Sequence, residues 1–93
     1  MAFTIYTQSQ IAKQWQNFIN DSQKYFAQIE QIAQKNDISP QDKERVRIML
    51  EILLDEYKTL KPSLLIPKSL KEKAKQQYIK AKTLYEKVFG KRD

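Results

Sequence analysis

Ninety-three residues, 41% of them hydrophobic and 30% charged, make one small domain that folds around a modest core. Cysteine and histidine are absent and there is a single glycine, Gly90, which removes disulfides, thiolate nucleophiles, imidazole acid–base chemistry, the common metal ligands and any Gly-rich phosphate loop. The net charge of +6 directs attention to a polyanionic partner.

The first helical segment is expected from about residue 8 to 35. It opens on Thr7-Gln8-Ser9-Gln10, where Thr7 can cap the chain, Gln10 can reach back, and Tyr6 and Ile11 stand at the positions of a hydrophobic staple. Its apolar residues, Ile11, Trp15, Phe18, Ile19, Tyr25, Phe26, Ile29, Ile32 and Ala33, recur in steps of three and four, which is one stripe of an α-helix. Ser22 is the one polar residue in the middle of that stripe, and the many glutamines fall mostly off it. The aromatic-rich stripe reads first as core and only second as a platform for stacked bases.

The second segment is expected from 40 to 60. Ser39-Pro40-Gln41-Asp42 provides a cap with Pro at the first helical position. Val46, Met49, Leu50, Leu53, Leu54, Tyr57 and Leu60 form its main stripe, and Pro62 ends it. Ile48 and Ile52 lie one turn apart and off that stripe. With Leu64, Leu65 and Ile66 of the following loop they form a second apolar set. Either the loop folds back over Ile48 and Ile52, or all five residues face another protein subunit.

The third segment is expected from 70 to 89. Ser69-Leu70-Lys71-Glu72 has the spacing of a capping box, and Gly90 stands where a helix ends. Leu70, Ala74, Tyr78, Ala81, Leu84, Tyr85, Val88 and Phe89 form its stripe. Short connections make successive helices antiparallel. The expected fold is therefore all-α, an up-down-up three-helix bundle over residues 1–93 with a long first helix. That helix outruns its neighbours, and either Met1 to Tyr6 or the long second loop covers the excess, or a partner does.

The charge is unevenly placed. Residues 1–67 hold eight basic and eight acidic side chains, and residues 68–93 hold nine and three, so the excess belongs to the last helix and tail. A rotation of about 100° per residue sorts its lysines onto two edges of the apolar stripe. Lys71, Lys75 and Lys82 follow one edge beside Tyr78, and Lys73, Lys80 and Lys87 follow the other, with Lys68 near the start. Lysine acts as a mobile point charge and arginine as a bidentate reader, so this composition suits a phosphate backbone contacted without regard to sequence. A solubilising surface, an anionic membrane and an acidic protein are the other readings of the same charge.

Paired acids such as Asp55-Glu56 or Asp42 with Glu44 lack a histidine or a metal-spaced partner and read as surface carboxylates. No enzyme, metal or cofactor is expected. A stretch of about 18 apolar residues, which a membrane span needs, is absent. Met1 to Tyr6 lacks a basic start and a long apolar run, so no secretory signal is expected, and the lack of cysteine fits a cytoplasmic protein. In size, helix content and the lysine edges over residues 68–91, the chain resembles the small helical subunit of CRISPR effector complexes. Proteins of that family line the complex and hold nucleic-acid strands without reading sequence. The resemblance implies a nucleic-acid-binding subunit of an antiviral assembly and assigns no individual residue. The alternative is a small protein-binding adaptor or inhibitor of phage or plasmid type, with no nucleic-acid contact.

Overall fold

The computed structural model describes residues 8–91, with side chains from Gln10 onward. Three helices, α1 (Gln8–Ala33), α2 (Pro40–Lys58) and α3 (Lys68–Phe89), pack each against the other two as a three-helix bundle. The core is made of the expected stripes. Phe18, Ile19, Leu50 and Leu53 are fully enclosed, and Trp15, Phe26, Met49, Leu54, Ala74, Ala81 and Tyr85 surround them. From α3 the fully enclosed residues are the small Ala74 and Ala81, with Tyr85 beside them, while the large fully enclosed side chains come from α1 and α2. Val88 and Ala33, expected on the stripes, lie at helix ends and are exposed. Among the described residues no helix is long and apolar enough to cross a membrane.

Helix boundaries follow local chemistry. At the start of α2 the Ser39 hydroxyl accepts from the Asp42 N–H at 3.1 Å, while the Asp42 carboxylate accepts from the Ser39 N–H at 3.4 Å. This is the reciprocal cap expected of Ser-Pro-Gln-Asp. Lys35 Nζ lies 3.2 Å from both carboxylate oxygens of Asp42 and ties the α1–α2 turn to the cap. Together Lys35 and the Ser39 amide hold the Asp42 carboxyl below the usual carboxylate range. The first and second helices end two residues earlier than expected, because Lys35 bonds to the Ile32 carbonyl and Leu60 to the Tyr57 carbonyl in tightened last turns.

The expected capping box at Ser69 does not form. Instead α3 starts at Lys68, and the Pro67 carbonyl accepts from both the Leu70 and Lys71 amides at 3.1 Å. Ile66 explains the shift: it is only 4% exposed, so burying it turns the chain toward the bundle and leaves Pro67, with its φ already fixed, as the last residue before the helix. At the other end Gly90 takes a φ of +87°, which favours glycine, and its N–H bonds to the Glu86 carbonyl at 3.0 Å. Thr7 and the staple between Tyr6 and Ile11 involve residues outside those described, as does any cover from Met1 to Tyr6.

The second loop is held from α1. Trp15 Nε1 donates to the Lys61 carbonyl at 2.9 Å, and its ring meets Tyr57 edge-on at 6.4 Å. Tyr57 in turn stacks on Tyr78 with 4.4 Å between centroids. An aromatic column thus joins all three helices at the end where the loop between α2 and α3 lies.

Candidate nucleic-acid interface

The two lysine edges of α3 have different neighbours. Tyr78 stacks on Tyr57, and the Tyr85 hydroxyl donates to Glu51 Oε1 at 3.0 Å, so the edge carrying Lys71, Lys75 and Lys82 borders α2. That border is charged with both signs. Glu51 also accepts from Arg47 at 2.8 Å, and Arg47 bonds to Glu44 one turn earlier, which holds the Glu44 carboxyl below its usual value. Of the three lysines, Lys71 is half-buried, while Lys75 and Lys82 are exposed.

The other edge borders α1. Gln77 Nε2 donates to the Ser22 hydroxyl at 2.8 Å, and the Lys80 ammonium stands 4.5 Å from the centroid of the Phe26 ring, a cation–π distance. Seven residues on either side, about 10.5 Å along the axis, Lys73 and Lys87 repeat the position of Lys80, and both are exposed. The facing side of α1 repeats in step: Gln16, Gln23 and Glu30 are also seven apart. Gln23 and Glu30 reach the cleft beside Lys80, while the Gln16 amide donates to Asn20 on its own helix at 3.0 Å. Between the helices lies an open cleft of about 390 Å³, floored by Phe26, Ile29 and Leu84 and rimmed by Gln23, Glu30, Gln77 and Lys80.

Among the described residues, none of Lys68, Lys71, Lys73, Lys75, Lys80, Lys82 and Lys87 lies within ion-pair distance of a carboxylate. Apart from Lys80, which stands over the Phe26 ring, their ammonium groups are left to solvent or to a ligand. The structure separates the two edges by about half a helix circumference, so one straight strand does not contact both.

The apolar set is split. Leu64 and Leu65 are 98% and 70% exposed, and Ile48 and Ile52 are 46% and 42% exposed. The loop therefore does not cover Ile48 and Ile52. Ile66 does not belong with them: its side chain is in the core, which corrects its expected place at a protein interface. Sequence reasoning also passed over a second opening, of about 360 Å³, at the end of the bundle near the 34–39 turn. Ile32, Ile38, Val46, Val88 and Phe89 line it together with Lys43. The available signal was Ile38, an apolar residue in a polar turn beside two stripes that run to their helix ends.

Between α1 and α2, Glu56 faces Asp21. Burial first, and then the neighbouring carboxylate, push the Glu56 carboxyl up to about 7. Among the described residues no third ligating side chain joins them and no cluster of three or more acids fit for a metal exists. No protein family, curated protein or solved structure matches the chain.

Proposed function

We propose that this protein is a non-enzymatic, cytoplasmic subunit of a nucleoprotein assembly that holds a nucleic-acid backbone without reading its sequence. The observation that supports this most directly is the placement of charge: the +6 of the chain resides in α3 and the tail, and the α3 lysines stand without carboxylate partners among the described residues. Lysine supplies charge without bidentate base recognition. The small helical subunit of CRISPR effector complexes is the kind of component this reading has in view.

A protein-facing side accompanies the basic one. Ile48 and Ile52 on the outer face of α2, and Leu64 and Leu65 in the loop, are large apolar groups given to solvent, and exposed apolar surface of this kind marks contact with other chains.

Binding of mixed-sequence oligonucleotides across a range of salt tests the reading. If about three phosphates are neutralised, log K falls against log salt with a slope near −2 to −3, and scrambling the sequence leaves affinity unchanged. Replacing the α3 lysines by Gln keeps the fold and flattens that slope. A chain that binds no oligonucleotide at low salt, alone or with its partner subunits, is instead an adaptor or inhibitor that acts on protein.

A further inference from the structure

We infer that the cleft between α1 and α3 receives one unpaired base of a single strand on the ring of Phe26, with Lys73, Lys80 and Lys87 holding the phosphates alongside. The inference rests on the backbone-binding reading above and adds the strand, the face and the base.

Three features select this cleft. The first is its floor: Phe26, Ile29 and Leu84 make an apolar, partly aromatic surface, and every base has a flat face that stacks on an aromatic ring whatever its sequence. The second is its lid, since the group over the Phe26 ring is the Lys80 ammonium at 4.5 Å. A phosphate arriving at the cleft draws that ammonium to itself, and the ring it leaves is then open to a base of the same strand. The third is the run of charge, which extends beyond the cleft. Lys73 and Lys87 continue the edge for about 21 Å in all, and the α1 rim of the cleft supplies the amide of Gln23. Base edges and phosphate oxygens both bond to amides. Glu30 is the acid on this rim, so removing its charge strengthens binding.

Lys71, Lys75 and Lys82 have no equivalent. Their edge meets the Tyr57–Tyr78 stack, whose rings are already face to face, and the Glu51 carboxylate. A duplex has its bases paired and stacked, so it engages lysines but not the cleft.

Three ligands of equal length separate the contributions: a mixed-sequence single strand, the same sequence as a duplex, and a single strand made abasic throughout. Binding of the full chain to each is followed by anisotropy at low salt. The base-bearing single strand is expected to bind more tightly than the abasic one. Phe26→Leu removes the ring and keeps an apolar side chain. Ala27→Leu fills the cleft from an exposed position on its wall, away from the core, which covers the case in which Phe26→Leu fails to fold. Each is expected to weaken the base-bearing single strand about five- to a hundred-fold, the range for loss of one base–aromatic stack. Duplex and abasic binding should stay as in the parent. Equal binding of all three ligands by parent and variants overturns the cleft and leaves the backbone reading in place. No binding of any of them by the parent overturns both.

Discussion

Ser22 is fully buried, in the middle of the longest apolar stripe. Its hydroxyl donates to the Ile19 carbonyl at 2.7 Å and accepts from Gln77, so both polar groups are satisfied inside the packed region. Ser22→Ala leaves Gln77 Nε2 without its acceptor and should cost about 1 to 3 kcal/mol. Adding Gln77→Leu removes the donor as well and should recover much of that loss, because replacing both partners by apolar groups is close to neutral. Denaturant melts of the two single variants and the double variant give the coupling. If the double variant is as unstable as the sum of the singles, the bond is not what holds this position. Glu56 acts in the opposite sense. Its carboxyl titrates near 7 in the folded chain against 4.5 as an ordinary side chain, so in that window the folded state keeps a proton that the unfolded state has released. This contribution to stability is fully present below about 4.5, declines as pH rises, and is gone above about 7. Relative to Glu56→Gln, the parent should therefore lose melting temperature between those two pH values. A parent–variant difference that is flat across the window would show that neither burial nor Asp21 raises the Glu56 carboxyl.

At the scale of elements, the sequence was most informative where a pattern was long or a cap was local. The three stripes and the Ser39–Asp42 cap depend on neighbours within one or two turns, and they form as the spacing indicates. The start of α3 was not legible, because Ser69 and Pro67 compete for the same role and the winner is set by Ile66, whose burial against the rest of the bundle is a long-range matter. The loop failed to cover Ile48 and Ile52 for a related reason. Trp15 binds the Lys61 carbonyl and so commits the loop to the α1 side. The outer face of α2 is left with two exposed isoleucines one turn apart. Replacing both with Ser should change the melting temperature of the isolated chain little, since neither side chain fills the core, and should weaken assembly with a partner subunit. A large loss of stability in the isolated chain, measured by circular dichroism, would place them in the fold.

For the whole molecule, the candidate site was legible in part. Periodicity alone yields two lysine edges and the aromatic stripe, and these are the materials of the α1–α3 cleft. Their adjacency was not legible, since Phe26 and Lys80 are far apart in sequence and meet only when α3 docks on α1. That docking has a handedness. Three helices joined by short loops can close with the third to the left or to the right of the first two, and apolar stripes fit either choice about equally well. The flanking polar contacts do not. Gln77 with Ser22 on one side of α3, and Tyr85 with Glu51 on the other, are sided and belong to the observed hand alone. In the mirror topology the flanks of α3 change places: Lys80 faces the acids of α2, and Lys82 faces the glutamines of α1. A buried serine and a tyrosine hydroxyl, neither of them basic, thereby decide which row of lysines lies along the neutral helix.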